Sequence, residues 1–224
     1  MEPVNHPRVK CCCIGSAHEA RVAIRGGAAA LGFVSRMPSG PGVIDEDLIA
    51  EIVRGVPPAV GTFLLTSSQN AAEIVAQQRR CRVNTVQICD RLISGTYADL
   101  RAAMPGISIV QVVHVVGEES AAEAEAVASA VDAILLDSGK PSLAVKELGG
   151  TGRRHDWRIS RRIRESVAVP VFLAGGLRAE NVAEAIDVVR PFALDVCSGV
   201  RTNGKLDEAK LERFMHAVRS AVSA

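Results

Sequence analysis

The sequence predicts a single-domain α/β protein, a (β/α)8 TIM barrel, and three observations point to it. Eight short apolar runs, rich in β-branched residues and bounded by turn residues, recur along the 224-residue chain. Runs of that kind read as parallel strands buried on both faces. Each run is followed by a segment of helix length. The G-x-G-x-x-G that an open dinucleotide-binding sheet carries after its first strand is absent, and "IGSAHEA" stands in its place. Eight strand–helix repeats close a barrel.

The runs are "RVKCCCI" (8–14), "AAALGFV" (28–34), "AVGTFLL" (59–65), "RVNTVQI" (82–88), "ISIVQVVHV" (107–115), "VDAILLD" (131–137), "VPVFLAG" (169–175) and "PFALDVCSG" (191–199). Between them, "EDLIAEIVRGV" places Leu48, Ile49, Ile52 and Val53 at helical spacing, and "NAAEIVAQQRR" does the same with Ala71, Ile74 and Val75. "ESAAEAEAVASAV" is built of strong helix formers. "RAENVAEAIDVV" and "DEAKLERFMHAV" complete the series, and helix starts are predicted at Asp45, Ser68 and Asp207. No linker or second domain interrupts the pattern. Residues 1–8 are predicted to be an N-terminal extension and 9–224 the barrel. The longest connection, 138–156, follows strand six and is expected over the active face, with loop 35–44 beside it.

Composition narrows the function. Basic and acidic residues nearly balance, 26 against 25, which argues against a nucleic-acid-binding surface, and aromatics at 3% are too few for base-stacking platforms. No window approaches the ~18 apolar residues of a membrane span. "MEPVNHPRVK" lacks the apolar stretch of a secretory signal, so a cytoplasmic location with reduced cysteines is expected. The six cysteines match no zinc spacing, and no metal site is predicted.

Chemistry in such a barrel gathers at the C-terminal strand ends. The ends carry Cys12–Cys13 after strand one, Asp137 after strand six, "GGTG" (149–152) in the next loop, Gly175–Gly176 after strand seven and Ser198–Gly199 after strand eight. Glycines in the loops after strands seven and eight let backbone N–H groups approach a phosphate. A phosphate-bearing small molecule is therefore the expected ligand, with simple turn chemistry as the alternative. Asp137, at the end of an apolar strand, is placed to act as a general acid; the alternative is a loop-capping carboxylate. In a strand, residues 10, 12 and 14 share one face and Cys11 and Cys13 the other. If the first set faces inward, Lys10 lies one layer below Cys12 and needs a buried partner, for which Asp195 on the adjoining strand eight is the candidate. An ammonium beside a thiol favours the thiolate, which suits Cys12 to a base or nucleophile. Adjacent cysteines neither wrap one metal ion nor form an unstrained disulfide.

Together these segments resemble the phosphoribosylanthranilate isomerase family of tryptophan biosynthesis, over nearly the whole chain. "VKCCCI", "GAAALGFV" (27–34), "LLDS", "GGTGRRHDW", "LAGGLRAENVAEAI" and "RPFALDVCSGV" match that family's segments in order. The resemblance implies an Amadori rearrangement without metal or cofactor. Cys12 takes the place of the general base and Asp137 that of the general acid. Gly150, Thr151, Gly152, Gly175, Gly176, Ser198 and Gly199 fall in the phosphate-holding loops. It implies a phosphorylated sugar amine as the partner and a monomer or homodimer as the assembly. The chain departs from the family at Cys13, where relatives keep glycine, at Pro41, where an arginine serves the anthranilate end, and at Cys89, Gln111 and Arg201. Arg36 or Arg201 is the candidate replacement at the anthranilate end. The departures leave two alternatives: the same chemistry on another N-phosphoribosyl amine, or a non-catalytic barrel that binds phosphate ligands.

Overall fold

The structure, a computed structural model, describes residues 6–150 and 152–222. Eight parallel strands, β1 Arg8–Cys11, β2 Ala30–Val34, β3 Gly61–Thr66, β4 Thr85–Ile88, β5 Ser108–His114, β6 Ala133–Asp137, β7 Val171–Leu173 and β8 Ala193–Val196, pair in sequence order and close, β1 against β8. Around them lie α1 Ala17–Arg25, α2 Glu46–Arg54, α3 Ala71–Cys81, α4 Tyr97–Ala103, α5 Glu119–Ala128, α6 Trp157–Ser166, α7 Val182–Val189 and α8 Glu208–Val222. Each predicted run holds an observed strand trimmed at one or both ends, except that β3 runs one residue past the predicted 59–65, to Thr66. After β8 a short 3-10 turn, Ser198–Val200, leads into an antiparallel ribbon, β9 Arg201–Thr202 with β10 Lys205–Leu206, before α8.

Side-chain alternation splits the core into two layers. Residues such as Leu31, Phe33, Leu64, Ile134 and Leu136 point outward and pack against the helices. Their in-sequence neighbours Ala30, Phe63, Leu65, Leu135 and Phe172 fill the barrel. Few aromatics are needed, because branched aliphatic side chains fill a barrel of this size in layers. Phe63 and Phe172 meet across the interior with ring centroids 5.8 Å apart.

One charge lies among them. Lys10 is only 1% exposed, and its ammonium lies 2.9 Å from Asp195 Oδ2 and 5.3 Å from the Phe63 ring centroid. The β1–β8 register pairs Lys10 directly with Asp195, as expected from closure. Burial alone would lower the Lys10 pKa; the Asp195 carboxylate outweighs it and holds the ammonium charged.

Local chemistry sets the helix starts. Ser16 caps α1 through its hydroxyl, and Thr96 forms a reciprocal capping box with Asp99 at α4. α2 begins after Asp45, and Asp207 Oδ1 accepts the Lys210 N–H at the start of α8. The predicted cap at Ser68 moves to Asn70, whose Oδ1 accepts from Ala72 and Glu73. Ser68 instead braces that cap, its hydroxyl accepting the Asn70 N–H.

Candidate active site

The cavity at the C-terminal mouth is lined by Cys12, Cys13, Gln87, Cys89, Asp137, Asp195 and Cys197 from the strand ends. Met37, Ser39, Gly40 and Pro41 enter from loop 35–44, and Leu148, Gly149, Gly150 and Gly152 from loop 138–156. The two loops are tied together where the Ser39 hydroxyl donates to Lys146 O at 2.7 Å. A buried Lys10–Asp195 pair forms the floor, and Cys12 sits above it. Gly32 on β2 makes room for both: a Cβ there would lie 3.0 Å from Cys12 Sγ and 3.1 Å from Lys10 Nζ.

The strand ends one residue earlier than alternation assumes. Cys12 still donates its N–H to Val196 O at 2.9 Å, but Cys13 turns out of the ladder with φ of 62°. That left-handed backbone rotates Cys13 into the cavity beside Cys12, where alternation alone puts it on the helix side with Cys11. Its sulfur stands 3.9 Å from Cys12 Sγ and 3.0 Å from Cys197 Sγ. Cys11 does face outward, and burial raises its thiol pKa to about 12. Arg201 holds the turn from behind. Its guanidinium donates to Cys12 O at 3.0 Å and Cys13 O at 2.5 Å while pairing with Glu19 at 3.2 Å.

Asp137 closes the opposite side. It is 8% exposed, and burial raises its pKa against the Ser138 N–H that donates to Oδ1 at 2.7 Å and against nearby His114. A raised carboxyl at a cavity wall is suited to holding a proton for donation. Gly149 presses close: a Cβ there would lie 2.8 Å from Asp137 Oδ2. Gln87, which sequence reasoning missed, is buried with no hydrogen-bond partner for Oε1. It shares the inward face of β4 with Cys89, a period-2 signal that was readable.

Gly152, Gly176, Ser198 and Gly199 line an adjoining depression together with Arg178, Lys210 and Arg213. The glycines are required by close approach. Gly176 has φ of 64°, and a Cβ on Gly199 would lie 2.0 Å from Leu177 O. The loops after β7 and β8 can therefore touch, with three cations at their rim beside one carboxylate, Glu180, which lies 3.8 Å from Arg178. Sequence reasoning missed those cations; Lys210 and Arg213, three apart, share one face of α8. Gly150, Gly152, Gly175, Gly176 and Ser198 also border the main cavity. Thr151 lies outside the described residues.

Neither arginine proposed for the anthranilate end lines the cavity. Arg36 is exposed, its carbonyl accepting from the Ser67 hydroxyl at 2.8 Å. Arg201 is committed to Glu19 and the Cys12–Cys13 carbonyls. Of the departures, Cys13, Pro41 and Cys89 reach the cavity; Gln111 faces outward, bonded to the Tyr97 hydroxyl at 2.8 Å. Among the described residues no cluster of three or more His, Cys, Asp or Glu is arranged to hold a metal ion, and no helix is long and apolar enough to cross a membrane.

Fold and cavity together define a class, single-domain (β/α)8-barrel enzymes with the pocket at the C-terminal end of the strands. Within it, residues 9–217 match the family described as N-(5'phosphoribosyl)anthranilate (PRA) isomerase. N-(5'-phosphoribosyl)anthranilate isomerase 2 of Methanosarcina mazei is 38% identical over 95% of this chain and 94% of its own. The phosphoribosyl anthranilate isomerase of Thermotoga maritima superposes with a TM-score of 0.80 at 30% identity, covering 96% of this chain and 99% of its own. A phosphoribosyl anthranilate isomerase solved in complex with reduced 1-(o-carboxyphenylamino)-1-deoxyribulose 5-phosphate gives 0.77 at 28%, covering 96% and 99%. The chain belongs to the N-(5'-phosphoribosyl)anthranilate isomerase family, and so to the isomerases.

Proposed function

We propose that this protein isomerises N-(5'-phosphoribosyl)anthranilate to the 1-deoxyribulose 5-phosphate amine in the cytoplasm, as a monomer or homodimer. The observation that carries the reading is a buried Asp137, its pKa raised by burial, lining the same cavity as Cys12, with the glycine loops along one side. The substrate phosphate rests in the depression of Gly152, Gly176, Ser198 and Gly199, where Arg178, Lys210 and Arg213 complement its charge. That anchor directs the ribose into the main cavity. Asp137 gives its proton to the ring oxygen as the C1–O bond breaks, leaving a Schiff base. Cys12, above the Lys10 ammonium, takes the proton from C2. The Cys12 thiol then returns a proton to C1 of the enolamine as the C2 hydroxyl proton passes to Asp137, which gives the ketose amine and restores both groups. Gln87 Oε1, unpartnered and facing the cavity wall, accepts a hydrogen bond from the substrate amine or a ribose hydroxyl.

A second reading keeps this chemistry on another N-phosphoribosyl amine. It is favoured by the cavity lining, which carries no arginine or lysine side chain among the described residues to meet an anthranilate carboxylate. Loss of phosphoribosylanthranilate fluorescence on adding the protein decides between them. The first reading expects rapid loss; stable fluorescence alongside turnover of a carboxylate-free analogue supports the second.

A further inference from the structure

Four of the six cysteines, Cys12, Cys13, Cys89 and Cys197, line one cavity, and all six are free thiols. Two of the four stand apart from the acid/base reading. Cys13 and Cys197 come from different strand ends, 184 residues apart in sequence, with sulfurs 3.0 Å apart. β1 and β8 are hydrogen-bonded neighbours with Cys11 level with Val196, so Cys197 and Cys13 lie one residue out of register on adjoining strand ends. Adjacent strands are ~4.8 Å apart, a spacing that suits a disulfide, whose Cα atoms lie ~4.4–6.8 Å apart. Cys197 is partly exposed where the cavity opens, which gives a small oxidant access.

We propose that Cys13 and Cys197 form a thiol-redox site, oxidised by a hydroperoxide to a disulfide that ties the end of β1 to the end of β8, and restored by a dithiol. The step balances. The Cys197 thiolate attacks the distal peroxide oxygen, the O–O bond breaks, and Cys197 becomes a sulfenic acid as water (or the alcohol) leaves. Cys13 sulfur then attacks Cys197 sulfur; the S–S bond forms, the S–O bond breaks, and the Cys13 proton leaves with the hydroxide as water. Two thiols lose two electrons and the peroxide gains them.

The surroundings assign the roles. Contact with the Cys13 thiol, and beyond it the Arg201 guanidinium, hold the Cys197 pKa below its ordinary value despite burial. The Cys13 thiol is held above its own, through its contacts with Cys12 and Cys197. Cys197 is thus the attacking thiol and Cys13 the resolving one. The alternatives fit less well. A bridge between adjacent Cys12 and Cys13 would be strained. Cys89 has Gln87 as its sulfur's neighbour, 3.7 Å from Gln87 O, and burial pushes its thiol up. The pair does not depend on whether Cys12 acts as a base.

The test is peptide mapping of the folded protein after limited hydrogen peroxide treatment, with remaining thiols alkylated under denaturing conditions. The expected product is a cross-link between the Cys197 peptide and the peptide of residues 11–13, two hydrogens lighter than the reduced pair and cleaved by dithiothreitol. It should persist in Cys12→Ser and vanish in Cys13→Gly, a substitution the φ of 62° accommodates; circular dichroism checks that each variant is folded. A cross-link lost in Cys12→Ser but kept in Cys13→Gly would overturn the assignment. So would recovery of Cys13 and Cys197 as alkylated or sulfinic monomers without any cross-link.

Discussion

Cys13 shows how far one dihedral angle can move a functional group. Alternation correctly separates Lys10 and Cys12 from Cys11, because all three keep extended backbone. It fails at Cys13, whose left-handed φ turns the side chain into the cavity, and nothing in "CCC" itself signals that turn. Left-handed backbone costs an L-residue ~1–2 kcal/mol. Cys13→Gly is therefore expected to raise stability by about 1 kcal/mol, read as a higher thermal midpoint in reducing buffer. Asp137 makes an opposite trade. Burial raises its folded pKa above the unfolded value, so its favourable contribution is complete below the unfolded pKa and is lost as pH rises through the folded one. Asp137→Asn keeps the Oδ1 acceptor for Ser138 but never ionises. It should unfold at higher temperature than wild type at neutral pH, the gap closing below about pH 4, while turnover collapses. Melting curves across pH check the sign.

Among the elements, the depression proposed to hold the phosphate exists because the loops after β7 and β8 approach to backbone contact. The glycine pairs that permit this were readable from order and position alone. The cations beside them were not, since Arg178, Lys210 and Arg213 converge only once α8 packs back over the β7 loop. Gly199→Ala places a Cβ against Leu177 O, where only backbone movement relieves the clash. It should raise KM at least tenfold and weaken protection by inorganic phosphate, measured by initial rates and by thermal shift. Gln111 illustrates the opposite limit. It stands out in the sequence only as a departure from the family, and its outward place on β5 binds it to Tyr97 and the carbonyls of Ile88, Asp90 and Val112.

For the whole molecule, closure is the event that matters. Pairing β1 with β8 sets Lys10 opposite Asp195 and Cys12 beside Cys197, with Asp137, the proposed acid, lining the same cavity as Cys12, the proposed base. Strand order and the Lys10–Asp195 partnership follow from the sequence because a closed parallel barrel leaves a single neighbour for each edge. Lys10→Met strands a buried carboxylate and should cost ~3–5 kcal/mol, whereas Lys10→Met with Asp195→Leu should recover most of that loss; urea unfolding distinguishes the two. The chemistry proposed for this frame assigns its proton transfers to Cys12 and Asp137, and it is tested most directly by kcat on N-(5'-phosphoribosyl)anthranilate for Cys12→Ala and Asp137→Ala beside wild type. Each substitution should lower kcat by ~10²–10⁴ with KM little changed, and Cys12→Ala turning over at nearly the wild-type rate would contradict the account.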